Sequence, residues 1–174
     1  MAGIGMEVTF NDGAVLDALG RLEAGMNDTT PLMRQIGAYG VRSTQERFMT
    51  ETAPDGSRWA ELNPAYAELK GPGRNILTGD GYLKDTMHFD ASAREVSWGS
   101  PMIYSRVHQF GATISAKGKP LTFLLGNVGS SGLVPVFLVR VRSVTIPARP
   151  YLGVNGEDRE EIEALAGDYI RGFL

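Results

Sequence analysis

Cysteine is absent from the 174 residues, which excludes disulfides, iron–sulfur ligation and thiolate zinc sites and fits a reducing compartment. Histidine is scarce, with only His88 and His108. An imidazole metal centre would need further ligands at fixed spacing, and the chain contains no His-x-x-His, His-Glu-x-x-His or Asp-rich calcium loop. Long apolar runs are missing too. Stretches such as Leu133 to Val139 fall far short of the ~18 residues that a membrane-spanning helix requires, so no membrane partner is expected. The opening Met1-Ala2-Gly3-Ile4-Gly5-Met6-Glu7 lacks a basic segment followed by an apolar one, so the expectation is a protein without a secretory signal that stays in the cytoplasm where it is made.

One sign of charge also disappears from the middle of the chain. Between Val96 and Gly156 there is no Asp or Glu, yet Arg106, Lys117, Lys119, Arg140, Arg142 and Arg149 all lie there. Residues 1–95 carry 14 acidic and 9 basic side chains, and residues 157–174 carry 6 and 2. The net charge of −3 therefore conceals an acidic, basic, acidic division. Copies of such a chain can meet head to tail with opposite potentials facing, which favours association and sets register. The plainer alternative is that strands carry Arg and Lys on a solvated face.

With 43% hydrophobic and 21% charged residues the composition is that of a globular protein, and the length suits one core, so residues 1–174 are expected to form a single domain. Glu7–Phe10 reads as a strand, with Asn11 and Asp12 as caps for a helix whose apolar positions are Val15, Leu19, Leu22 and Met26. Thr30-Pro31 starts a second helix, reaching about Met49, with Ile36, Gly40, Thr44 and Phe48 along one face. Its glycines, Gly37 and Gly40, cost about 1 kcal/mol each against alanine and mark close approach of another backbone or simple tolerance. Asn63-Pro64 opens a short helix that Gly71-Pro72-Gly73 breaks, and a helical turn capped by Thr78 or Asp80 follows. Met87–Ala91 and Glu95–Trp98 read as a hairpin, and Tyr104–Phe110 as a helix ended by Gly111. Leu121–Leu125 and Leu133–Ile146, rich in Val, Leu, Phe and Thr, form an extended hairpin arm over 115–146 with a Gly- and Ser-rich tip at Gly126–Gly132. Alternation along Val139-Arg140-Val141-Arg142 places both arginines on one face. Asn155 caps a last helix with an apolar stripe of Ile162, Leu165, Ala166, Tyr169, Ile170 and Phe173. The order of elements predicts an α+β fold, helices packed on a mainly antiparallel sheet, with a long protruding hairpin and a C-terminal amphipathic helix.

Catalytic motifs are as sparse as histidines. Gly71-Pro72-Gly73 and Gly79-Asp80-Gly81 lack the remainder of any phosphate-binding loop, and there is no Gly-x-Ser-x-Gly elbow. Asp80 and Asp85 could be imagined as a carboxylate pair, but capping explains the first and a solvated helix face the second. Neither enzyme activity nor a cofactor is expected.

What the chain does contain is a series of spaced motifs: Phe48; Pro54-Asp55-Gly56-Ser57-Arg58-Trp59-Ala60-Glu61-Leu62; Lys70; Ile76-Leu77-Thr78-Gly79 with Leu83; Tyr104; His108-Gln109-Phe110-Gly111; and Ile146-Pro147-Ala148-Arg149-Pro150-Tyr151-Leu152-Gly153. Their order over about residues 45–170 resembles the phage virion-morphogenesis family, which includes tail-completion proteins of Mu-like phages. The resemblance implies a small α+β structural subunit that joins its own copies, six in the expected ring, at the head-proximal end of the tail. There the ring would stop tail growth or complete the head–tail joint, in contact with tail-tube and head–tail connector proteins, within the virion. On physical grounds Trp59 is a core or interface anchor, with core favoured. His108-Gln109-Phe110-Gly111 ends a helix with Phe110 packed. Arg149, held between two prolines, is expected to pair with a carboxylate. Arg140, Arg142, Lys117 and Lys119, with Arg149, Trp59, His108 and Phe110, are the candidates for assembly contacts, and the strand carrying Arg140 and Arg142 is expected to face an adjacent subunit or the central channel. The alternative reading is a neck module touching DNA in the channel through the basic 96–156 segment; the overall acidity and the lack of an aromatic-interleaved basic patch weigh against it.

Overall fold

The computed structural model describes residues 13–70, 75–79, 81–125, 128–129, 132–133 and 137–173. The expected strand at Glu7–Phe10, the caps Asn11, Asp12 and Asp80, the Gly71-Pro72-Gly73 break and much of the glycine-rich tip lie outside them. Helices α1 (Gly13–Asn27), α2 (Thr30–Thr50), α3 (Pro64–Lys70) and α4 (Tyr82–Asp85) precede the strands β1 (His88–Ala91) and β2 (Val96–Gly99). A short α5 (Ser105–Phe110) follows. Then come β3 (Ala112–Ser115), β4 (Leu121–Leu125), β5 (Val128–Gly129), β6 (Gly132–Leu133), β7 (Phe137–Val141) and β8 (Ser143–Ile146), and finally α6 (Gly156–Arg171). The fold is α+β, and its strands pair antiparallel in two-stranded units rather than in one broad sheet.

The longest helix, α2, organises the body. Its buried positions Leu32, Ile36, Gly37, Gly40, Thr44, Arg47 and Phe48 recur at helical spacing, and Pro31 sits in its first turn. The N-cap is Thr29, one residue ahead of the Thr30 that the sequence offers as the capping hydroxyl, and the Asp28 carboxylate accepts from the Thr30 N–H at 3.0 Å. Against this face lies the β1–β2 hairpin, and it explains the helical glycines. A Cβ on Gly37 would stand 2.5 Å from the Phe89 ring, and one on Gly40 would stand 2.6 Å from the Trp98 indole. Aromatic rings, not another backbone, occupy the space. Trp98 Nε1 also donates to the Thr44 hydroxyl at 3.2 Å, satisfying a polar group with no exposed surface.

The C-terminal end of α2 enters the apolar cluster of Phe48, Ala53, Trp59, Ile76, Leu83, Met87 and Tyr151. Helix α1 stands apart from it: Val15, Leu19 and Met26 of its apolar stripe are more than half exposed. It is tied at its C-terminal end to α6, where the Tyr169 hydroxyl is 3.0 Å from the carbonyls of both Gly25 and Asp28.

Strands β3 to β8 pair as nested partners, β3 with β8, β4 with β7 and β5 with β6, so they form one long ribbon that begins at Ala112. The register jumps from Ser115↔Ser143 to Leu121↔Val141, leaving residues 116–120 on one strand opposite Arg142 alone. A bulge of this kind bends a ribbon and locally releases side chains from pairing. The single strand expected over 133–146 is accordingly divided at Arg142 into β7 and β8.

Candidate functional site

Three segments far apart in sequence meet around Phe48: the stretch at 58–61, α5, and the extended stretch 146–153. The Trp59 indole packs edge-on against Phe48 at 5.4 Å and donates from Nε1 to the Pro150 carbonyl at 2.7 Å. Trp59 is only 5% exposed, so it belongs to the core. Tyr151 packs against Phe48 at 5.2 Å with its ring tilted by 45°, and donates its hydroxyl to the Ser105 carbonyl at 3.1 Å.

Arg149 differs from its expected role. Instead of a carboxylate, its partners are main-chain carbonyls: Nε donates to Ala60 at 2.7 Å and Nη2 to Glu61 at 2.8 Å. Arg58 makes an isolated bridge to Thr52, but Ala60 and Glu61 lie outside any helix or strand, so their carbonyls are not taken by a ladder and suit a planar fork of donors. The side chain is buried in the body, and burial lowers the guanidinium pKa. Gln109 plays the complementary part. Its Oε1 accepts from the N–H groups of Tyr151 and Leu152, each at 3.0 Å, and its Nε2 donates to the Leu152 carbonyl at 3.0 Å. One amide side chain thus does the pairing of a missing strand. The Arg149 N–H completes the join by donating to the His108 carbonyl at 2.7 Å. Gly111 follows with φ of 71°, and a Cβ there would lie 2.8 Å from the Ala148 nitrogen, so the close crossing of α5 and the 146–148 segment requires glycine.

This docking turns Phe110 outward. It is 71% exposed rather than packed, because α5 addresses the body through Gln109 and the His108 carbonyl. His108 is half-buried beside Tyr104, in the wall of a groove of about 520 Å³ that Tyr66 and Tyr82 also line. Burial first, and then the charge of Arg149, lowers its pKa, so the ring is neutral at neutral pH; its buried Nδ1 has no partner among the described residues.

A carboxylate–guanidinium pair does exist, but between Arg47 and Asp158, which the sequence did not single out. Both side chains are over nine-tenths buried. Arg47 also donates from Nη1 to the carbonyls of Tyr151 at 3.1 Å and Gly153 at 2.8 Å. Asp158 forms the capping box of α6 with Asn155 and accepts from the Tyr39 hydroxyl at 3.0 Å and the Ser43 hydroxyl at 2.5 Å. Burial works to raise its pKa, yet the hydrogen bonds from Ser43, Asn155 and Tyr39 together with the Arg47 charge outweigh it and hold the carboxyl below its usual range. Burial and the bond to Asp158 push the Tyr39 hydroxyl up to about 12. The signal in the sequence was an arginine placed among the buried positions of α2 and an aspartate three residues after a capping asparagine.

Lys117, Lys119, Arg140 and Arg142 are all exposed on the ribbon, while Val139 and Val141 are half-buried, which is the alternation expected of that strand. No group of three or more His, Asp or Glu side chains that could hold a metal occurs among the described residues, and none of their helices is long and apolar enough to cross a membrane.

An α+β body whose characteristic motif residues bind its own main chain, with a cationic ribbon emerging beside them, defines the class. The chain belongs to the phage virion morphogenesis family, whose model matches residues 10–171. It is 27% identical over 135 residues to a protein named putative capsid assembly protein G of Escherichia phage Mu, covering 74% of this chain and 71% of that protein. No solved structure matches it.

Proposed function

We propose that this chain is a structural subunit of the phage neck. Copies associate as a ring, six in number, at the head-proximal end of the tail, where the ring completes or terminates the tail and enables the head to join it. The work is assembly rather than catalysis. Membership of a virion morphogenesis family and similarity to a protein named for capsid assembly support the reading. The observation that carries it is the use made of the motif side chains: Trp59, Gln109 and Arg149 all end on main-chain groups of the same chain. A motif that fixes a protomer's shape while leaving a charged ribbon outside serves a surface to be recognised. Native mass spectrometry of the purified chain should give a discrete ring-sized species, and a strict monomer at every concentration would count against the proposal. Phage lacking the chain should accumulate heads and tails that do not join.

A further inference from the structure

The bulge at 116–120 concentrates charge. It carries Lys117 and Lys119, and Arg142 stands opposite it with Arg140 two residues away along the same strand. All four are exposed, and none takes part in the three ion pairs found among the described residues. No Asp or Glu between Val96 and Gly156 offsets them locally. Four like charges on a short length of ribbon repel one another until an anionic surface neutralises them.

Helix α6 presents such a surface. Glu157, Glu160 and Glu161 are exposed and fall on one stripe at helical spacing, separate from the stripe of Ile162, Leu165 and Tyr169 that is half-buried. The ion pairs of α6 among the described residues use Asp158 and Asp168, not these three glutamates. The ribbon cations and the α6 glutamates are both exposed within one protomer, so neither surface is covered by the other in the same copy.

We infer that the bulged part of the ribbon of one copy docks on the outer acidic stripe of α6 of the next copy. This deepens the proposed function and rests on it. The contact joins two different surfaces, so it is heterologous, the kind that repeats around a ring. A second copy is favoured over DNA because the complementary charge is present in the chain itself. The net charge of −3 also opposes a polyanion.

Charge reversal tests it in the full-length chain. Arg140→Glu with Arg142→Glu, and separately Glu160→Lys with Glu161→Lys, should each raise the dissociation constant for self-association at least about tenfold. Sedimentation at low and high salt reads that change, with thermal melting confirming that each variant is folded. Combining the two reversals should restore assembly. An oligomer that survives either reversal, or that the combined variant fails to recover, overturns the docking while leaving a ring subunit intact; a wild-type monomer overturns the ring itself. Loss of DNA binding in a gel shift on ribbon reversal, with the oligomer unchanged, would assign the ribbon to nucleic acid instead.

Discussion

Two main-chain carbonyls depend on the guanidinium of Arg149, and lysine cannot serve both in the same geometry. Arg149→Lys should therefore lower stability by about 1–3 kcal/mol, the cost of leaving a buried acceptor unpaired, and chemical denaturation would read it. Asp158→Asn leaves Arg47 buried without its counter-charge and should cost about 3 kcal/mol. Because the folded Asp158 pKa is depressed, its contribution is present above the ordinary carboxylate pKa of about 3.9 and is lost as pH falls through the folded value, so wild-type unfolding in acid should be steeper than that of Asp158→Asn. His108 acts in the neighbouring window. Its folded pKa is also depressed, so the unfolded chain takes up the proton first and stability declines as pH drops below about 6.5. His108→Leu should flatten that decline; an unchanged slope between about pH 5 and 7 would place the titration elsewhere. These roles were only partly legible. The sequence shows that an arginine between two prolines is held stiffly, but any residue supplies a carbonyl, so no letter of the sequence identifies Ala60 and Glu61 as its acceptors.

At the scale of elements, periodic signals carried most of what could be read. The α2 face through Ile36, Gly40, Thr44 and Phe48 is buried as its spacing indicates, the β1–β2 hairpin falls where alternation places it, and Asn155 caps α6. Alanine at Gly40 separates local propensity from packing. It should gain about 1 kcal/mol of helix propensity and lose about 1–3 kcal/mol to overpacking against Trp98, so Gly40→Ala is expected to lower Tm despite being the better helix former. Where periodicity is too short, tertiary contacts decide. Helix α5 has fewer than two turns, and its docking through Gln109 is what leaves Phe110 outside. Strand β3 was not expected, because Ala112–Ser115 acquires its strand character from pairing with β8 across 30 or so residues of chain, and such non-local pairing leaves little trace in a local window.

For the whole molecule, the acidic, basic, acidic order visible in the sequence becomes a spatial division between α6 and the ribbon. What the sequence could not supply was the bulge that gathers four cations, since register is set by pairing rather than by composition. The ribbon also leaves and rejoins the body at one place, with Ala112 directly opposite Ile146. Both ends of the excursion are therefore already adjacent, and joining Ser115 to Ser143 with an Asn-Gly turn should give a shortened chain that melts near the parent temperature yet no longer associates. A lineage could lengthen, trim or recolour that appendage without redesigning the kernel around Phe48, so fit to a new neighbour can change while the rest of the chain stays as it is.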